Sequence, residues 1–198
     1  TAAPAVEPTA AAEPEKPKFS EAPMLKEMVD KGELPPVEER LPENPLVIPV
    51  AESVGQYGGV WRRGFLGPSD YNNYVRMVYD GLVRFSPDGG TIEPRLIESW
   101  ESSDDYKVWT IHMRAGAKWS DGQPFTADDI MFWYEDVLLN ADLTPSLPGW
   151  MKNGDGSPAV VAKVDDYTVT WTYAEANTTL MMELANKDGG DKSYAVFL

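Results

Sequence analysis

Apolar and polar residues alternate along Tyr106–Arg114, with Trp109, Ile111 and Met113 on one face and Val108, Thr110 and His112 on the other. A two-residue period is that of a strand with one face in a core, so a strand is predicted here. Asp121-Gly122 then supplies a turn dipeptide, and Pro124 blocks any earlier helix. Thr126 offers its hydroxyl as an N-cap, with Asp128 and Asp129 in the first turn that follows. From there the period becomes helical. Ile130, Trp133, Tyr134, Val137 and Leu138 lie at i, i+3, i+4, i+7 and i+8, which is one apolar stripe. Met131 and Phe132 widen it, and the helix is expected to be covered on more than one side.

Patterning of the same kind extends both ways. Val60–Phe65 reads as a first strand, Gly67-Pro68 as a turn, and Ser69 as the cap of a helix over Asp70–Asp80. Val83–Phe85 reads as a short strand before the Ser86–Gly90 turn, and Leu96–Trp100 leads into the Tyr106–Arg114 strand. Val160, Ala162 and Val164 alternate before Asp165-Asp166, and Val169, Trp171 and Tyr173 alternate after it, which predicts a hairpin. Thr178–Leu184 begins a further helix. Trp61, Trp109 and Trp171 occupy alternating strand positions and are expected in the core.

Composition changes the picture at the N-terminus. Residues 1–45 hold nine of the 17 prolines, one aromatic (Phe19) and ten acidic against five basic residues. Such a segment buries too little apolar surface to offset backbone ordering, about 1–2 kcal/mol per residue. A flexible tether rich in Pro, Ala and Glu is expected over 1–45, and a folded domain over 46–198. Within the tether, Met24, Leu25, Met28 and Val29 fall at helical spacing before Gly32, which predicts a short helix over Ala22–Lys31, either docked on the body or transient. Tyr194-Ala195-Val196-Phe197-Leu198 is an apolar run without a polar tail, and reads as the end of a truncated chain.

A net charge of −15 with no Lys/Arg cluster argues against a nucleic-acid partner and against anionic membrane surfaces. The absence of cysteine excludes disulfides, thiolate metal sites and cysteine nucleophiles within this sequence. No apolar run reaches the length of a membrane span.

His112 is the one histidine, and a strand position without a neighbouring nucleophile assigns it a structural part. The adjacent pairs Asp104-Asp105, Asp128-Asp129 and Asp165-Asp166 sit at turns or a helix start, where capping is their expected duty. Asn153-Gly154-Asp155-Gly156-Ser157 alternates oxygen ligands around glycine, but an EF-hand loop starting at Asn153 would need an acidic residue where Val164 stands, leaving a Gly-rich loop. The Gly-Gly pairs lack the spacing of a phosphate cradle. No metal, cofactor or catalytic set is predicted. The aromatic residues carry the binding question, since seven Trp and nine Tyr offer stacking faces with polar handles. Trp150, after Pro148-Gly149 and beside Met151 and Lys152, falls in a loop and is the aromatic candidate for a cleft.

The series W-x-x-S-x-D from Trp100, a strand ending in Met113-Arg114, then Gly116, Lys118-Trp119, Asp121-Gly122 and Pro124–Asp129 resembles the extracytoplasmic solute-binding proteins of family 5. These are the peptide-, nickel- and oligosaccharide-binding receptors of ABC importers. Val78–Leu82, Ile92–Leu96 and Val164–Val169 are similar to further family segments, so the resemblance runs from about Gly58 to Leu184. It implies an α/β (mixed α+β) fold of the periplasmic-binding-protein-like type II class, with part of the first lobe only in this chain. It also implies an extracytoplasmic, monomeric, non-enzymatic receptor, in the periplasm or tethered at the cell surface, any signal peptide or lipid-anchor cysteine having been cut away or left out. Its partners would be a peptide or oligosaccharide solute and a membrane permease.

By the same resemblance, Leu66, Gly67, Ser69, Asp70, Tyr71, Asn72 and Asn73 would face the ligand. A Gly-Pro turn leading to a free helix N-terminus is independently suited to a carboxylate or hydroxyl, an ordinary surface cap being the alternative. A secreted carbohydrate-active enzyme or carbohydrate-binding module is the rival reading, motivated by the tryptophans, the acidic pairs and the tether.

Overall fold

The computed structural model describes residues 19–50, 52–67, 70 and 81–186. Two short helices lie upstream, α1 (Pro23–Asp30) and α2 (Val37–Arg40). The body then runs β1 (Val83–Phe85), β2 (Ile92–Pro94), β3 (Ile97–Ser102), β4 (Val108–Met113), α3 (Ala127–Phe132), β5 (Val160–Asp165), β6 (Thr168–Thr172) and α4 (Leu180–Ala185). β1 and β2 form an antiparallel hairpin, and the other strands form an antiparallel sheet in the order β3-β4-β6-β5.

The turns follow from their side chains. Ser86 Oγ donates to Asp88 and Ser103 Oγ to Asp105, each fixing a reversal that returns the chain as the next strand. Leu96–Trp100 therefore does more than lead into β4. Most of it is β3, paired antiparallel with β4 so that Trp100 faces Ile111. Tyr106 in this turn takes φ 54, a left-handed conformation unusual for a non-glycine residue.

At α3, Thr126 and Asp129 form a capping box in which the Thr126 hydroxyl accepts from the first turn and Asp129 Oδ2 accepts the Thr126 N–H at 2.7 Å. The helix continues over Trp133–Leu138 as a wider turn, where the Leu139 N–H reaches the Tyr134 carbonyl five residues back. Trp133, Tyr134 and Leu138 are buried as the stripe predicts. Phe132 is 61 % exposed, so the helix is open on that side, contrary to the sequence expectation.

The core lies between one face of the four-stranded sheet and helix α3, and continues to α4, which packs against the β1–β2 hairpin. Trp109, Ile111 and Met113 point into it from β4, with Val169 and Trp171 from β6. On β5 the buried residue is Val161, placed opposite Trp171, while Val160 and Val164 of the expected alternating set are exposed. An apolar residue at every other position names two candidate faces, and cross-strand register chooses between them.

The first strand expected at Val60–Phe65 is not formed among the described residues. Val60 is 81 % and Trp61 74 % exposed, and the Arg63 guanidinium lies 5.3 Å from the Trp61 ring centroid. This corrects the core placement of Trp61. A strand is stabilised by the neighbour that takes its N–H and C=O groups, and no described segment pairs with this one. The Asp70–Asp80 helix and the Tyr194–Leu198 run lie outside the described residues, apart from Asp70 itself.

α1 forms where the apolar spacing places it, with Leu25 and Val29 half-buried. The segment after it lies against the body: the Glu43 N–H donates to the Ala115 carbonyl at 3.0 Å, and Arg114 Nη1 donates to the Asn44 carbonyl.

Candidate functional site

Leu66, Gly67 and Asp70 share one turn. The Leu66 N–H donates to Asp70 Oδ2 at 3.3 Å, and the Asp70 N–H donates to the Gly67 carbonyl at 2.9 Å. Gly67 has φ +135, which a side chain would strain, and the Leu66 side chain is 98 % exposed. An apolar side chain this open on a glycine turn is available to a ligand or to another part of the protein. Ser69, Tyr71, Asn72 and Asn73 lie outside the described residues.

Trp150 belongs to a different group. It lies in a single helical turn, Gly149–Met151, and is 9 % exposed, with its indole ring parallel to that of Trp133. The Trp150 carbonyl accepts from the Tyr173 hydroxyl at 3.0 Å and from Asn177 Nδ2 at 3.5 Å, while the Asn177 carbonyl accepts from Trp109 Nε1 at 2.9 Å. Burial pushes the Tyr173 phenol well above its ordinary pKa, so it stays a protonated donor. Trp150 Nε1 is buried without a hydrogen-bond partner among the described residues. Asn177 is invisible to sequence reasoning because no local pattern distinguishes it, and its role depends on strands that meet only in the fold.

His112 lies on the outer face of the sheet, with Nε2 3.9 Å from Glu101 Oε1 and Nδ1 3.5 Å from the Thr168 hydroxyl. The carboxylate pairs take turn and cap positions. Asp165 accepts the Tyr167 N–H, and that bond holds its carboxyl below the usual range. Lys163 Nζ sits 2.8 Å from both Asp128 and Asp166, and these carboxylates push its pKa up to about 12. In the Gly-rich loop, Asp155 Oδ1 accepts the Ser157 hydroxyl at 2.6 Å, and Asn153 Oδ1 accepts the Ala174 N–H at 2.9 Å. The first bond closes the loop on itself, and the second ties it to the segment after β6. No group of three or more His, Asp or Glu suited to a metal ion occurs among the described residues, and no described helix is long and apolar enough to cross a membrane.

Residues 91–190, which run from β2 through the core and past α4, match the family described as bacterial extracellular solute-binding proteins, family 5 Middle. The chain belongs to this family. Its mixed α and β architecture is that of periplasmic binding proteins: it aligns with a structure of an oligopeptide-binding protein OppA at a TM-score of 0.79 and 41 % identity, covering 85 % of this chain and 26 % of that one. A second structure, the periplasmic binding protein MelB from Agrobacterium fabrum C58 in complex with stachyose, aligns at a TM-score of 0.67 and 33 % identity over 87 % of this chain and 29 % of that one.

Among curated proteins, the periplasmic alpha-galactoside-binding protein of Rhizobium meliloti is 36 % identical over 173 residues, 77 % of this chain and 25 % of its own length. The periplasmic oligopeptide-binding protein OppA of Haemophilus influenzae is 39 % identical over 74 residues, 37 % of this chain and 14 % of its own length. This family 5 chain thus spans a quarter or less of these two curated relatives. All four are named as binding proteins.

Proposed function

We propose that the full-length protein is the substrate-binding component of an ABC importer. It captures a peptide-like or oligosaccharide solute between two lobes, closes by a hinge motion and presents the closed form to a membrane permease. The observation that carries this reading is family membership together with one fold shared, over most of this chain, with a protein named for oligopeptides and one solved with stachyose, beside sequence similarity to a protein named for alpha-galactosides. The present chain supplies part of the first lobe. The receptor acts as a monomer outside the cytoplasm, in the periplasm or tethered at the cell surface, and performs no catalysis.

Within it, Leu66, Gly67, Ser69, Asp70, Tyr71, Asn72 and Asn73 face the solute. The exposure of Leu66 and the glycine turn support this assignment. Trp150 contributes through its group with Trp133 and Tyr173, which shapes the first lobe behind the binding surface.

Isothermal titration of the full-length protein with stachyose and with a panel of short peptides tests the proposal. Saturable binding of one class is expected, weakened at least ten-fold by Leu66→Asp and Asn73→Ala without a change in melting temperature. Binding of neither class, alongside measurable hydrolysis of an oligosaccharide, would overturn it in favour of a carbohydrate-active enzyme.

A further inference from the structure

The segment from Glu39 to Asn44 makes a series of directed contacts with the turn that follows β4. The Glu43 N–H donates to the Ala115 carbonyl at 3.0 Å, Arg114 Nη1 donates to the Asn44 carbonyl, and Lys118 Nζ donates to the Glu39 carbonyl. Between these bonds the two backbones are nearly in contact. A Cβ built on Gly116 would lie 3.2 Å from the Glu43 nitrogen and 3.4 Å from the Pro42 Cα. Gly116 also has φ +76, so glycine here serves both the turn and the close approach.

The segment's other end is tied as well. Arg40 Nη2 lies 2.5 Å from Glu21 Oε1 in a pair whose side chains are 27 % and 15 % exposed, and Arg40 Nε donates to the Pro35 carbonyl at 2.9 Å. α1 lies between Glu21 and Pro35, so the pair closes the helix into a loop attached to the body. On the body side, Arg114 is held by the Arg95 and Ile97 carbonyls and by Glu98. One buried guanidinium therefore connects the upstream segment to β3.

We infer that Glu39–Asn44 is a strap that latches the upstream segment to the Arg114–Lys118 turn, shortening the tether expected from composition to the residues before Glu21. The contacts are backbone-directed and need a glycine opposite them, a geometry that a freely moving linker does not require. Release of the latch would return Glu21–Asn44 to the tether and add up to about 80 Å of extended chain. For a receptor held at a membrane, tether length sets the effective concentration at which it meets a partner. The strap would then govern reach, independently of solute binding. That consequence rests on the proposed function, whereas the latch itself does not.

The test uses the full-length protein, comparing wild type with Gly116→Ala/Lys118→Ala, which crowds the close approach at Glu43 and removes the Glu39 tie while leaving Arg114 in place. Hydrogen exchange of the 39–44 amides is read beside that of β4 and β6, and small-angle scattering gives the maximum dimension. Wild-type 39–44 amides are expected to exchange at least ten-fold more slowly than the free peptide. In the variant they should approach the free rate while β4 and β6 stay protected and the maximum dimension grows. Free-peptide exchange in the wild type would overturn the latch. Loss of β4 and β6 protection in the variant would overturn it as a separable element and make the segment part of the core. Stachyose and peptide titrations on both proteins separate this inference from the proposed function: unchanged affinity with a released strap is the expected outcome, and absence of binding in both defeats only the receptor reading.

Discussion

The indole rings of Trp133 and Trp150 lie parallel, with 6.1 Å between centroids and 4° between planes. The stack joins the wide end of α3 to the turn after Pro148, two segments with no backbone ladder between them. Its strength comes from buried aromatic area, with a further ~0.5–1.5 kcal/mol from ring geometry.

Trp150→Ala should cost about 3–5 kcal/mol, because the ring leaves a cavity against Trp133 that this packed region cannot close. Trp150→Phe should cost less, since it keeps an aromatic face and removes the buried Nε1 that has no partner. Urea unfolding of the two variants measures the difference, and equal losses would show that the stack is not the source.

Asp129 performs two tasks. Oδ2 accepts the Thr126 N–H at 2.7 Å and Oδ1 accepts Trp119 Nε1 at 3.1 Å. Asp129→Ala should therefore destabilise by about 1–2 kcal/mol, at the upper end for a capping residue. Asp129→Asn should retain part of it. Thermal unfolding with a concurrent Trp fluorescence signal checks both, and an unchanged midpoint in Asp129→Ala would show that neither Asp129 bond contributes to stability.

Gly116→Ala combines a left-handed backbone with a Cβ 3.2 Å from the Glu43 nitrogen. A loss of about 1–2 kcal/mol is expected from the backbone alone. Exchange of the Glu43 amide should rise in the same variant, whereas Gly122→Ala, with φ +88 and open space around it, should show the backbone penalty without that rise.

Acid sensitivity has a definite sign. Serine hydroxyls hold Asp88, Asp105 and Asp155 below their ordinary value of 3.8, and the Tyr167 N–H does so for Asp165. A depressed carboxylate contributes stability that is present above 3.8 and lost as pH falls through its folded value. Lys163, raised from 10.5 to about 12, contributes stability that is complete below 10.5 and lost as pH rises through about 12. Melting temperature should therefore fall below about pH 4, and Asp105→Asn should flatten the acid limb. A limb identical to wild type would exclude that turn.

Much of the fold was legible in local pattern. The period-two run before Met113 became β4, Thr126 became the N-cap of α3, and the acidic pairs took turn and cap positions, because each depends on residues close in sequence. The candidate site was less legible. Trp150 looked like a loop aromatic since Trp133, which stacks on its ring, and Tyr173, which donates to its carbonyl, are distant in the chain.

The sequence by itself determined the family fingerprint, the alternating β4 and β6, the capped helix and the acidic character of the chain. Tertiary structure decided which side of β5 is buried, that Trp61 stays open, and that Glu39–Asn44 lies on the body. The reason is physical: dihedral preference, periodicity and capping act within a few residues, whereas burial, strand pairing and a glycine's close approach require a partner brought in from elsewhere.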